Sequence, residues 1–195
     1  MRIFHIIDVR IFEDKNKLAE ALKSASNFRL EKYNAINNQL SKLQVLANTY
    51  LLDKCLKEIG LTEKGMEYGI EKNGKLYFKN VANIHFNLSH SKNMSLAVIS
   101  DVPVGCDIQY VDKLRENILD VTLSESEKAE VLSEKNVDMR NEKFYTFWAM
   151  KEASIKKDGS GLRNNLTDVD ISDVYVEKYI LDVGTEKEKY IIAIK

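Results

Sequence analysis

The sequence predicts an α+β fold built on antiparallel sheet, and three observations carry that prediction. Strand-like runs come in pairs divided by turn residues: 66–70 and 76–79 around Asn73-Gly74, then 173–183 and 190–194 around residues 184–187. Two long helical periods stand apart from them, one over residues 40–59 and one from Phe144 onward. The order strand, helices, strands occurs twice, on either side of Pro103, the single proline. The chain therefore divides into an N-terminal half-domain, 1–102, and a C-terminal half-domain, 103–195, that repeat one coarse plan.

Residues 3–9 are rich in Ile and Phe and predict a strand, with Asp8 and Arg10 at its exposed end. Short helices follow at 14–22 and 28–36, and Asn37-Asn38 marks a break. Over 40–59 the positions Leu43, Leu46, Ala47, Tyr50, Leu51 and Ile59 keep the helical period, and Gly60 stands where a helix would be capped. Asn73-Gly74 joins two short strands as a hairpin. Residues 84–89 read as a strand that runs out into a turn at His90-Ser91, and 95–100 reads as another.

In the second half, 104–109 (VGCDIQ) predicts a short strand. Ser124 with Glu127 three residues later forms a capping box that opens a helix to about Glu134. A polar loop, 135–141, leads to the helix that begins near Phe144. On that helix Trp148, Glu152 and Lys156 follow at i, i+4 and i+8, so they lie along one side. Asp158-Gly159-Ser160-Gly161 ends it with turn residues. A terminal hairpin completes the chain.

Composition excludes several function classes. The formal net charge is −1, so no global field favours nucleic acid or a membrane surface. Cys55 and Cys106 have no metal-ligand spacing and make no disulfide framework. His5, His85 and His90 are too scattered for a zinc site. The N-terminal run lacks a signal-peptide core, and no apolar run approaches a membrane span, so the expected address is the cytoplasm. No Walker loop and no dinucleotide fingerprint occur.

The chemistry-bearing candidates are few. Asp107 and Gln109 are two apart on a strand and share a face. An Asp among apolar residues needs a cation, a metal or backbone donors. With Glu152 from the helix, Asp107 and Gln109 supply oxygen ligands for one hard cation if strand and helix meet. Mg²⁺ takes one or two carboxylates plus waters and substrate phosphates, so the set hints at a phosphate-bearing substrate. Ser89, His90 and Ser91 offer hydroxyls and an imidazole, with no triad pattern around them. Lys75 and Lys156 are candidate phosphate clamps, although either alone reads as a solvated lysine. Arg29, Lys32 and Lys42 read the same way.

Three stretches together resemble the 4′-phosphopantetheinyl transferases, in the larger, monomeric form that activates peptide synthetases. They are FNLSHS at 86–91, VGCDIQ at 104–109 and FWAMKEASIKKDGSGL at 147–162, in the family's order. The resemblance implies two similar α+β halves related by a pseudo-twofold, with coenzyme A and Mg²⁺ in the cleft between them. It implies transfer of phosphopantetheine from coenzyme A to a serine of an acyl or peptidyl carrier protein, with release of 3′,5′-ADP. Asp107 and Glu152 match the metal-ligand positions, and Glu152 also matches the base. Lys156 matches the lysine that steadies the pyrophosphate. Ser89 and His90 match contacts to the cofactor's phosphates, and Lys75 resembles the lysine of a turn near the nucleotide.

Departures from the family pattern are specific. Gln109 stands where many members carry a second acidic residue, which removes one negative charge. Leu43-Gln44-Val45 replaces an arginine-serine-leucine signature, and Arg29 and Lys32 match the family's phosphate-binding lysines only loosely. The carrier is expected to meet residues 112–134, with Lys113 and Arg115 toward an acidic helix. A rival reading keeps the fold but makes the chain a non-catalytic binding module for coenzyme A or carrier protein. A metal-dependent phosphoesterase is a third, disfavoured by the lack of a dense carboxylate cluster.

Overall fold

Asn38 and Gly60 bound the longest helix of the first half. The Asn38 side chain accepts from the Ser41 N–H, and Gly60 takes a positive φ of 76°. Leu61 N–H returns to the Leu56 carbonyl and Gly60 N–H to that of Lys57, the bond pair of a Schellman motif. The computed structural model describes residues 1–161 and 165–195, so Leu162, which closes the predicted glycine motif, lies outside the described residues. The chain forms two compact units, Met1–Val104 and Gly105–Lys195.

The first unit contains β1 (Arg2–Asp8), α1 (Lys15–Ser24), α2 (Asn27–Ala35), α3 (Gln39–Lys57), β2 (Tyr68–Ile70), β3 (Leu76–Phe78), β4 (His85–Ser91) and β5 (Met94–Ser100). Its main sheet is antiparallel in the order β1-β5-β4, and β2-β3 form a separate hairpin. Leu51, Leu52, Cys55 and Leu56 of α3 bury against Phe86, Ala97 and Ile99 of the sheet. Gly74, at φ 87°, makes the turn that Asn73-Gly74 predicts.

The second unit contains β6 (Cys106–Tyr110), α4 (Leu119–Thr122), α5 (Glu125–Ser133), α6 (Val137–Asp158), β7 (Tyr175–Val183) and β8 (Glu186–Ile194). Its sheet is antiparallel in the order β6-β8-β7. Phe144, Tyr145, Ala149 and Ala153 of α6 pack on Ile191 and Ala193 of β8. Both units thus share one connection scheme: a first strand, helices, then a hairpin whose second strand lies at the centre of the sheet. Among the described residues no helix is long and apolar enough to cross a membrane.

Four local expectations change. Helix α6 begins at Val137 because the Asn136 side chain caps it, accepting from Met139 N–H, so most of the polar run 135–141 is helical. Ser89, His90 and Ser91 lie inside β4, where they pair with Leu96, Ser95 and Met94 of β5, instead of forming a turn after it. β8 extends back to Glu186, since its charged first half pairs fully with β7. Asp8 and Arg10 are tied together, with Arg10 Nη2 2.6 Å from Asp8 Oδ2.

Gly105 decides how closely β6 can approach α6. A Cβ built there would lie 2.0 Å from the Ala153 carbonyl oxygen and 2.2 Å from the Lys157 nitrogen. Both are backbone atoms of α6 and cannot step aside alone. Gly105→Ala is therefore expected to cost about 1–3 kcal/mol or more, read as a fall in the urea midpoint. An unchanged midpoint would show that α6 can shift freely.

Candidate active site

The β6 alternation places Asp107 and Gln109 on one face. Their antiparallel partners are Ala193 and Ile191, the β8 residues on which α6 packs, so both side chains face that helix. Asp107 is 2% exposed. Its two oxygens are held from two elements. Lys156 Nζ of α6 donates to Oδ1 at 2.5 Å, and Gln109 Nε2 of β6 donates to Oδ2 at 2.7 Å.

Glu152 lies one helical turn before Lys156. Burial, and after it the Asp107 charge, push the Glu152 carboxyl above the usual range, against the pull of the Lys156 ammonium. Burial draws Lys156 down, but Asp107, Cys106 and Glu152 outweigh it and hold the ammonium above the usual lysine value. Asp107, Gln109, Glu152 and Lys156 thus form one electrostatic cluster within the second unit. Trp148 heads the same side of α6. Its ring stands edge-on to Phe144 at 5.5 Å, and the Arg115 guanidinium lies 5.7 Å from its centre.

Among the described residues no group of three or more His, Cys, Asp and Glu side chains converges as a metal cage. The donor set is two carboxylates near enough for the Asp107 charge to add to burial in raising the Glu152 pKa. Two hard oxygen donors, with remaining positions for water and phosphate oxygens, suit Mg²⁺ and not a thiolate- or imidazole-binding metal. The residues fit the group.

Lys151, next to Glu152 in sequence, points elsewhere and is fully buried. Its Nζ lies 2.7 Å from Glu127 Oε2 and donates to the carbonyls of Leu166 at 2.9 Å and Thr167 at 3.3 Å. The same Glu127 oxygen accepts from Ser124 N–H at 2.7 Å, closing the capping box of α5. One ammonium therefore joins α6, the start of α5 and the segment after the glycine turn. The sequence carries no local sign of this, because the partners lie 15 to 24 residues away.

The other predicted residues belong to the first unit. Ser89 is buried in β4 and His90 is exposed. His90 Nδ1 lies 3.4 Å from Asn48 Nδ2 of α3, and the buried Asn48 Oδ1 has no partner among the described residues. Asn48 escaped the sequence reading, although a polar residue between Ala47 and Leu51 on an apolar helix is a readable signal. Lys75 follows the Gly74 turn, and its Nζ is 3.4 Å from the Val104 carbonyl.

Arg29 is buried, not solvated. Its Nε donates to Thr49 Oγ1 at 2.9 Å, and burial draws its pKa down against the pull of Tyr68 and Glu63. Glu63 accepts from Ser26 N–H, Ser26 Oγ and Tyr68 Oη. Lys32 sits over the Phe28 ring at 4.9 Å, and burial and Arg29 lower its pKa.

Residues 103–194 match the model of the 4′-phosphopantetheinyl transferase superfamily. Curated relatives agree. A 4′-phosphopantetheinyl transferase of Bacillus subtilis is 33% identical over 109 residues, which cover 54% of this chain and 47% of that protein. The transferase psf-1 of Bacillus pumilus is 29% identical over 174 residues, covering 86% and 72%. The transferase Sfp of Bacillus subtilis strain 168 is 29% identical over 118 residues, covering 60% and 48%. The matched region spans about half the length of the first and last of these relatives.

Proposed function

Since residues 103–194 match the model of the 4′-phosphopantetheinyl transferase superfamily, we propose that this chain transfers 4′-phosphopantetheine from coenzyme A to a serine of an apo carrier protein. The observation that carries the reading is the cluster of Asp107, Glu152 and Lys156, which lies inside the matched segment. Such transfer needs a base for the serine proton and positive charge for the pyrophosphate. Glu152 and Lys156 supply these two functions one helical turn apart.

The serine Oγ attacks the β-phosphorus of coenzyme A, and Glu152 accepts its proton, directly or through water. The bond from that phosphorus to the bridging oxygen breaks, and 3′,5′-ADP leaves with the electron pair. Lys156 stands opposite the pyrophosphate charge. A carboxyl held above its usual range takes a proton more readily than an ordinary glutamate does. Asp107 and Glu152 would hold a Mg²⁺ ion, with Gln109 beside them. Bound there, the ion would neutralise charge on the pyrophosphate oxygens.

Ser89 and His90 of the first unit are assigned to the cofactor's phosphates by the same resemblance, and Lys75 to the turn near its nucleotide. The carrier docks on residues 112–134, through Lys113 and Arg115. Acyl and peptidyl carrier domains are the substrate class, and the chain acts as a monomer in the cytoplasm. Two buried, free cysteines suit that reducing compartment. Chromatographic detection of 3′,5′-ADP tests the proposal. Release that requires both the carrier and this chain is expected. Release without carrier would point to a phosphoesterase, and binding of coenzyme A with no release would point to a non-catalytic module.

A further inference from the structure

We propose that Gln109 is a positioning residue: it locks the Asp107 carboxylate by donating to it and does not serve as a third oxygen ligand. This rests on the reading of Asp107 and Glu152 as the metal's carboxylates. The Gln109 amide has one donor end and one acceptor end. Its donor end lies 2.7 Å from Asp107 Oδ2. The reverse orientation would set the amide oxygen against a carboxylate oxygen, two acceptors facing each other, so the chemistry fixes which end points at Asp107. The two residues are neighbours on one face of β6, and that spacing brings the side chains together.

Asp107 has little freedom left. It is 2% exposed, and its second oxygen takes the Lys156 ammonium at 2.5 Å. One donor comes from its own strand and one from α6, so the carboxylate plane is set from two directions. A carboxylate at position 109 would meet Asp107 Oδ2 as a like charge. The glutamine removes that repulsion and supplies a hydrogen bond in its place. The charge balance changes with it. Asp107, Glu152 and Lys156 sum formally to −1, so a divalent cation binds less tightly here than at three carboxylates. The anionic pyrophosphate then becomes a larger share of what holds the cation.

The test uses the full chain and Mn²⁺ as the probe, with affinity read from the signal of free Mn²⁺ by electron paramagnetic resonance. Spin-echo measurements in heavy water count the first-shell waters. In Gln109→Leu the water number is expected to equal that of the wild type, while Mn²⁺ binding weakens roughly 10-fold or more, because Asp107 loses its orienting partner. Circular dichroism of that variant is expected to be unchanged. One additional bound water in the variant would identify Gln109 as a ligand and overturn the proposal. Equal affinity in the two proteins would overturn it as well.

A metal-free readout separates this inference from the reading on which it rests. One side-chain amide proton of Gln109 is expected to resonate downfield in the ¹H–¹⁵N spectrum and to return upfield in Asp107→Ala. Amide protons at ordinary positions in the wild type would contradict the donor role. Failure of the wild type to bind Mn²⁺, with or without coenzyme A, would remove the metal reading, and the amide resonance would still decide the Gln109–Asp107 bond.

Discussion

Glu152→Gln is expected to lower phosphopantetheine transfer by about 10²–10⁴-fold while leaving coenzyme A binding largely intact. The amide keeps the shape and loses the proton acceptor. The same change is expected to raise the stability of the metal-free chain at neutral pH. Burial and Asp107 place the folded-state pKa of Glu152 above its unfolded value. The folded chain therefore binds the proton more tightly, and stability falls as pH rises from the ordinary carboxylate range through the raised pKa. Glutamine does not titrate and escapes that loss. Urea titrations in chelator at pH 5 and pH 8 check the sign: the variant's advantage should be larger at pH 8. A transfer rate within threefold of the wild type would rule out Glu152 as the base.

Lys151→Met is expected to have the largest effect on folding. The Lys151 ammonium has no exposed surface and three acceptors, which are Glu127 and the carbonyls of Leu166 and Thr167. Removing it takes the cation from a mostly buried carboxylate that keeps the Ser124 N–H, and breaking one partner of such a pair costs about 3–5 kcal/mol. At the size of this chain that corresponds to a melting temperature lower by roughly 6–20 °C. The double change Lys151→Met with Glu127→Leu should recover much of the loss, since no unpaired carboxylate remains. A loss below 1 kcal/mol in the single variant would show that Glu127 reaches water once the lysine is gone.

Local signals in the sequence were sufficient for most of the fold. Asn73-Gly74 and Gly184 specify their hairpins through the φ values they adopt, and Ser124 with Glu127 specifies the start of α5. What escaped the sequence was non-local. The charged residues 186–189 hide the first half of β8 because their pairing with β7, not their apolarity, makes them strand. Arg29 reads as solvated on a polar helix, and only its tertiary neighbours Thr49, Glu63 and Tyr68 account for its burial.

The site divides in the same way. The helical period puts Glu152 and Lys156 one turn apart, and the strand period puts Asp107 beside Gln109. The bond between Lys156 and Asp107 joins residues 49 apart in sequence, which no period can express. The composition of residues 112–134 also deserves weight against the docking expectation. Its acidic residues outnumber Lys113, Arg115 and Lys128, so the proposed docking of an acidic helix rests on Lys113 and Arg115 locally and not on the net charge of the segment.

The intact mass of an apo carrier domain, incubated with this chain, coenzyme A and Mg²⁺, tests the central claim most directly. The account predicts a gain of one phosphopantetheine group at the carrier serine, absent with a chelator and absent with Glu152→Gln. No mass gain on acyl and peptidyl carriers alike, from a folded chain that binds coenzyme A, would contradict it.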